Sequence, residues 1–491
     1  MINLSINEGK LKNAVKRAAE EGVILPTFEQ MKNPELIPEE IKERLKDVGL
    51  WEINSLNLFR ISWQNEPQKS GGQFSGVNFL ELPAELTGVK ARIIALVGKW
   101  FPTGAHKVGA TYGCLIPRLV TGQFDPTAEK AVWPSTGNYC RGGAYNSQLL
   151  GCESIAILPE GMSQERFDWL AEVADEVIST PGTESNVKEI FDKCWELRET
   201  REDIQIFNQF EELGNHLWHY EVTGDAMLKA FKAAADSNSR LAGVALTSGS
   251  AGTLAAADRI KKEHPAARLA VAEALQCPTL LYNGFGDHRI EGIGDKHVPW
   301  VHNVKNTDMV IGIDDNDSMA LVRLFNSEIG REYLQGLGVP EETIAALSLL
   351  GISGISNMLA AIKYARYYEL TEDDVVMTVL TDSMELYGSR LEEMMEEAGD
   401  YDRTAAAVDY HRHLLGQKID HMQELDYYSK KRIHNLKYYT WVEQQGRDSE
   451  ELKAQWYDYD NYWERLHQQA PEIDSLIEEF NQKTGLLEEL K

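Results

Sequence analysis

The sequence predicts an α/β fold with a mostly parallel sheet, and three observations carry that prediction. Short apolar runs recur between helix-like segments, the rhythm of βαβ units. Several of these runs end in glycine- and serine-rich loops that lead straight into alanine-rich, helix-like stretches. The composition of the 491 residues, 43% hydrophobic and 26% charged, suits a globular chain with a sizeable core.

Residues 1–80 read as a helical extension, broken by Pro26, Pro34 and Pro38 and closed by the joint "SGGQFSG". Beyond it, apolar runs at 91–100, 130–135, 153–161, 175–180, 243–250, 268–275 and 375–382 read as buried strands. Between them, 163–174, 186–202 and 252–264 read as helices. In such a layout ligands are expected at the carboxyl ends of the strands. Residues 396–491 read as a charged, aromatic-rich helical extension. Its Tyr and Trp residues either form an interface or pack on the same chain's core, and the second reading carries more weight.

The charge balance narrows the partners. With 49 basic and 77 acidic residues the net charge is −28, which argues against a nucleic-acid groove or an anionic membrane surface. No apolar run approaches the roughly 20 residues of a membrane span. The N-terminal stretch mixes charges throughout and lacks a signal peptide's apolar centre. Five cysteines, an odd number without a Cys-x-x-Cys pair, fit a reducing cytoplasm better than a disulfide framework or zinc cluster.

Four short stretches carry the chemistry. In "WFPTGAHKVGATYG" Lys107 stands where a Pro-Thr-Gly turn enters a small-residue helix, a setting that suits a lysine condensed with a bound carbonyl compound. The loop "WPSTGNYCRGGA" follows an apolar run. Ser135, Thr136, Gly137 and Asn138 there make either a carboxylate cradle or an ordinary N-capping turn. In "ALTSGSAGTLAAADRIKK", Gly249, Ser250, Ala251, Gly252 and Thr253 let the backbone approach a phosphate closely. That loop lacks both the lysine of a nucleoside-triphosphate loop and the Gly-x-Gly-x-x-Gly pattern. In "SLLGISGISNMLAAIKYA", Ser353 or Ser356 offers a neutral hydroxyl to a heterocyclic nitrogen, with helix capping as the alternative. Together the four describe a phosphorylated aromatic aldehyde: pyridoxal 5'-phosphate.

At these residues the sequence resembles the tryptophan-synthase-β-like and cysteine-synthase-like enzymes of pyridoxal-phosphate fold type II. "GAHK" is similar to tryptophan synthase β, whereas "STGN", "GSAGT", "HRIEGIG" and "GIS" are similar to cysteine synthase and cystathionine β-synthase. The resemblance runs over roughly 85–395 and implies two open, twisted, mostly parallel sheets flanked by helices. Within a catalytic region at 81–395 it implies a small subdomain at about 125–235. It makes Lys107 the Schiff-base lysine, with His106, Asn138, the 249–253 loop and Ser353 on the cofactor and Ser135 to Asn138 on the substrate. The implied reaction is β-elimination or β-replacement on a small amino acid through an aminoacrylate, in a cytoplasmic homodimer. Ser135 stands where tryptophan synthase β has its catalytic glutamate, so tryptophan synthesis is not expected. Alternatives are a thiolase-type β subunit cleaving 2-amino-4-oxopentanoate with coenzyme A and a small accessory subunit, or a non-catalytic cofactor-binding scaffold.

Overall fold

A computed structural model describes residues 1–489 apart from Thr136, Glu184, Ser185 and Asp400. The strands within it are β1 (Phe79–Leu82), β2 (Arg92–Val97), β3 (Lys130–Pro134), β4 (Ser154–Pro159), β5 (Glu176–Thr180), β6 (Ile204–Ile206), β7 (Arg240–Thr247), β8 (Arg268–Ala274), β9 (Met309–Ile313), β10 (Asp374–Leu380) and β11 (Met422–Glu424). They form a seven-stranded sheet in the order β1-β2-β10-β7-β8-β9-β11 and a four-stranded sheet in the order β5-β4-β3-β6. All pairings are parallel except β1 with β2 and β11 with β9, at the two edges of the larger sheet.

The central strands are buried on both faces by flanking helices, which is why they read as continuous apolar runs. Every residue of β4, β9 and β10 is buried. The helix Ile352–Tyr367 lies against β7 and β10 and is buried over Ile352 to Ala365, apolar on nearly all sides. Loops at the carboxyl ends of β2, β3, β7 and β10 all reach one region between the sheets, and that region is the site.

The segments before residue 81 and after residue 395 pack on the chain between them and on each other. Asn481, in the helix Ala470–Thr484, accepts from Leu25 N at 2.9 Å and donates to Leu25 O at 2.8 Å. Asp474 on the same helix accepts from Phe28 N and Glu29 N at 2.7 and 3.1 Å, capping the helix Phe28–Lys32. Trp441 and Trp463 are buried within the chain, and Trp441 Nε1 donates to Val298 O at 2.8 Å. The buried Lys437 ammonium donates to Trp300 O, His302 O and Gln455 Oε1. Tyr428 and Tyr457, at 79% and 68% exposure, face outward instead. All five cysteines are buried and free.

Candidate active site

Lys107 opens the helix Lys107–Val120, and the chain arrives through two left-handed residues, Thr103 (φ 68°) and Gly104 (φ 74°). Threonine in that conformation is strained, and Arg141 Nη2 fixes it by donating to Thr103 O at 3.2 Å. His106 N donates to Thr381 O at 3.2 Å, tying the turn to the end of β10. The small residues after the lysine have a packing reason. A Cβ on Gly109 would lie 2.0 Å from Trp218 Cζ2, and one on Gly113 would lie 2.5 Å from Gly214 O. On the opposite side, a Cβ on Gly142 would lie 2.8 Å from Val108 Cα. The lysine's backbone is thus held between the helices Leu213–Trp218 and Asn138–Leu149.

Two small cavities meet at Lys107 and share walls made by Gly249, Ser250, Gly292, Ile293 and Thr381. One extends past Ser135 and Asn138, the other past His106, Thr253 and Asn357. A wider groove beside Phe191, His297 and Gln444 shares no lining residue with either. Lys107 Nζ donates to Ser250 Oγ at 3.0 Å and to Gln209 Oε1 at 3.2 Å. Gln209 Nε2 in turn donates to Ser135 Oγ at 3.0 Å, and Asn215 Nδ2 donates to Ser250 Oγ at 3.1 Å. One hydrogen-bonded chain therefore links the lysine to both the 135–138 loop and the 249–253 loop.

Behind the 135–138 loop lies a buried charged network. Asn138 Nδ2 and Tyr387 Oη both donate to Asp382 Oδ2 at 2.6 Å. Arg166 Nη2 donates to Tyr387 Oη at 3.0 Å, and Arg166 Nη1 pairs with Glu291 Oε2 at 2.7 Å. Gly137 must be glycine here, because a Cβ would lie 2.4 Å from Arg166 Nη1. Burial raises the Asp382 carboxyl above its usual range, with Tyr387 and Asn138 opposing that by hydrogen bonding. Cys140 donates to Gly137 O at 2.8 Å, and burial pushes its thiol up to about 12, so it is a packed thiol.

Ser135, Gly137, Asn138, His106, Lys107, Ser353 and the 249–253 loop are all brought to this region; Thr136 lies outside the described residues. Ser356 is turned away, bonded to Ser318 Oγ at 2.8 Å and to Ile352 O at 3.3 Å. Gln209, Asn215, Thr381 and Asp382 were not singled out in sequence. No glycine-rich loop marks the first two, and Thr381 and Asp382 sit at the plain end of an apolar strand.

Comparison with known proteins bears on this arrangement. The profile of the family described as pyridoxal-phosphate dependent enzyme matches residues 98–334. Cysteine synthase of Staphylococcus aureus (strain N315) is 30% identical over 267 residues, which is 54% of this chain and 77% of that protein. The chain belongs to the pyridoxal-phosphate-dependent enzymes. Cystathionine beta-synthase of Saccharomyces cerevisiae is 26% identical over 318 residues, covering 62% of this chain and 59% of that one. Among solved structures, a hydrogen sulfide-producing enzyme from Fusobacterium nucleatum superposes with a TM-score of 0.54 at 23% identity, covering 71% of this chain and 95% of its own. An O-acetylserine dependent cystathionine beta-synthase from Helicobacter pylori gives 0.53 at 22%, covering 63% and 94%. These two likenesses speak for the fold: the α/β architecture of fold type II, with parallel sheets flanked by helices.

The residues present fit pyridoxal phosphate. Ser353 Oγ is buried without a hydrogen-bond partner among the described residues and lies 3.8 Å from where a Cβ on Gly292 would stand. Asn138 Oδ1 is likewise buried and unpartnered, an acceptor left over for a ligand hydroxyl. In the 249–253 loop Ala251 is left-handed (φ 62°), and the short helical turn Gly252–Leu254 leads into the helix Ala255–Glu263. Backbone N–H groups at such a helix start, with the Ser250 and Thr253 hydroxyls, suit a phosphate. A Cβ on Gly252 would lie 2.1 Å from Asn215 Oδ1. Gly252→Ala is therefore expected to push Asn215 off Ser250 and weaken cofactor affinity by roughly tenfold, read from an absorbance titration of the apoenzyme.

His106 is neutral at the site. Burial, helped by the Lys107 charge, depresses it to about 3, and its Nε2 lies 3.3 Å from Thr381 Oγ1. Its ring packs against Trp63 and His219, at 5.4 and 5.1 Å between centroids. Burial likewise lowers His288 to about 4 and His434 to about 3. Histidine in the unfolded chain titrates near 6.5, so below that pH the unfolded state binds protons that the folded state refuses. Stability is accordingly expected to be full above pH 6.5 and to fall as pH drops towards 4. The slope is up to about 1.4 kcal/mol per pH unit per histidine. Urea midpoints at pH 7.5 and pH 5.0 check this.

Proposed function

We propose that the enzyme catalyses β-elimination or β-replacement on a small amino acid, as a cytoplasmic homodimer. The observation that carries this reading is Lys107 at the junction of two cavities, one ending at the 249–253 loop and the other at the 135–138 loop. The names of its relatives, cysteine synthase and cystathionine beta-synthase, point to the same reaction class.

Bound pyridoxal phosphate supplies the electron sink that stabilises negative charge at the substrate's α carbon. Lys107 would hold the cofactor covalently and, when freed, its Nζ would take the substrate's α proton. Ser250 Oγ and Gln209 Oε1, at 3.0 and 3.2 Å, keep that amine in place. The start of the helix Asn138–Leu149 receives the substrate carboxylate, with Ser135 Oγ beside it. Fixing the carboxylate turns the α C–H towards Lys107. Ser353 offers a neutral hydroxyl where an aspartate would hold a proton on the ring nitrogen. A serine there would leave the ring a weaker sink and would favour prompt loss of a β-substituent.

Purified protein should be assayed with O-acetylserine, serine and cysteine, with and without sulfide or homocysteine, by following pyruvate and thioether formation. Turnover of at least one β-substituted substrate is expected. Inactivity with all of them, alongside coenzyme-A-dependent cleavage of 2-amino-4-oxopentanoate, would overturn the assignment. Sedimentation equilibrium tests the dimer.

A further inference from the structure

Behind the phosphate loop, three buried side chains from distant parts of the chain converge. His216 belongs to the helix Leu213–Trp218, Asp258 to Ala255–Glu263 and His467 to the C-terminal turn Arg465–His467. Their exposures are 1%, 5% and 4%, and their ligand atoms all lie within 4.8 Å of one another. His216 Nε2 is 3.0 Å from His467 Nε2 and 3.8 Å from Asp258 Oδ2. Around a tetrahedral zinc ion with ligands about 2.0–2.2 Å away, neighbouring ligand atoms stand about 3.3 Å apart. The two observed spacings straddle that value.

We propose that His216, His467 and Asp258 bind a zinc ion that fastens the C-terminal extension to the helix behind the phosphate loop. The surrounding contacts prepare His216 and Asp258 for this. His216 Nδ1 lies 3.1 Å from Val301 O. An N–H there donates to the carbonyl and leaves the Nε2 lone pair facing the cluster, the usual outer-shell device of a metal-bound histidine. Asp258 accepts from the side-chain amides of Asn303, at 2.7 Å, and Asn306. Among the described residues no lysine or arginine forms an ion pair with it. A buried carboxylate with only neutral donors is costly to keep ionised. A divalent cation removes that cost.

The two imidazoles are nearly coplanar, at 6° with centroids 5.3 Å apart, so without metal they share an Nε2–H···Nε2 hydrogen bond. Zinc takes the place of the shared proton, which moves to His467 Nδ1, and no proton leaves the pair. Tyr220, stacked on His467 at 3.7 Å and 4°, keeps that ring's plane. Two imidazoles and one carboxylate, with a water as fourth ligand, are a zinc donor set and too nitrogen-rich for calcium or magnesium. His216 follows Asn215, whose amide holds Ser250 Oγ at 3.1 Å. The ion therefore anchors the segment that positions the phosphate loop, while standing outside the reaction.

The test uses holoenzyme freed of metal with a chelator and then dialysed against zinc. Metal per chain is measured by atomic emission and thermal unfolding by circular dichroism. The wild type is expected to retain one zinc per chain and to melt several degrees higher with it. His467→Gln keeps an N–H donor towards His216 Nε2 but loses the ligand. It is expected to fold, to keep the cofactor's absorbance, to bind zinc at least about tenfold more weakly and to show no zinc-dependent rise. Should that variant not fold, Asp258→Asn is held to the same outcomes. Wild-type protein with substoichiometric zinc and no melting shift overturns the proposal, as does a ligand variant that binds zinc as tightly as the wild type.

Discussion

Lys107→Ala is expected to lower turnover by at least about 10⁴-fold, because one substitution removes both the covalent holder of the cofactor and the base for the α proton. The base alone is worth about 10²–10⁴. The loss should be chemical and not a failure to fold. Asn215 still donates to Ser250 Oγ, and Ser135 still accepts from Gln209 Nε2, so the loops on either side keep their own partners. Steady-state assays with circular dichroism as the folding control decide it. A variant that keeps even a tenth of wild-type activity would remove Lys107 from the mechanism. On the wild type, borohydride reduction should leave the pyridoxyl group on the tryptic peptide that contains Lys107, and on no other.

The second large effect is expected at Arg166. Its guanidinium is fully buried, and Glu291, its partner at 2.7 Å, is 5% exposed by side chain. Removing one member of such a pair strands the other charge and typically costs about 3–5 kcal/mol. Arg166→Met should therefore lower the urea midpoint markedly. Arg166→Lys should recover only part of the loss, since an ammonium cannot fork between Glu291 and Tyr387. The double variant Arg166→Met with Glu291→Gln should lose less than the sum of its singles. Additive losses would mean that the ion pair does not couple the two segments. Glu291 is also held by Arg390 Nε at 2.5 Å, so the residual charge is cushioned and the lower end of the range is the more natural outcome.

Most strands that could be read from sequence are buried on both faces; β5, expected to be buried at 175–180, instead lies at the edge of the smaller sheet with only Thr180 buried. β2, β3, β4, β8 and β10 each have at most one residue that is not buried, and β7 has two, Arg240 and Ala242, near its start, which leaves an apolar run in each. β1 and β11 lie at antiparallel edges and mix exposed with half-buried residues, so they carry no such run. β6 has three residues, too few for any periodicity. β9 was legible in principle, being apolar and fully buried, but its five residues stand in a loop-rich stretch.

The site divides in the same way. Lys107, the 135–138 loop and the 249–253 loop announce themselves because tight turns and phosphate cradles demand particular residue types in adjacent positions. The residues alone leave Ser353 and Ser356 open and the resemblance selects Ser353; both open the same helix, and in the structure only Ser356 has a hydroxyl partner across the helix pair. Asp382 could not be found by spacing at all: the side chain it holds, Asn138, is 244 positions away. His216 and His467, 251 positions apart, were hidden for the same reason. Local chemistry leaves a local trace; a contact made by folding leaves none.

The meeting of the two chain ends bears on how this enzyme is made. Tyr112 on the lysine helix donates to Pro26 O at 2.5 Å, and the neighbouring Leu25 is held on both its backbone groups by Asn481. That clasp cannot exist while the helix Ala470–Thr484 is still inside the ribosome. The segment bracing the lysine helix is therefore secured only once residue 481 has emerged, and a nascent chain arrested before that point should be far more easily cut by protease near residue 25 than the released protein.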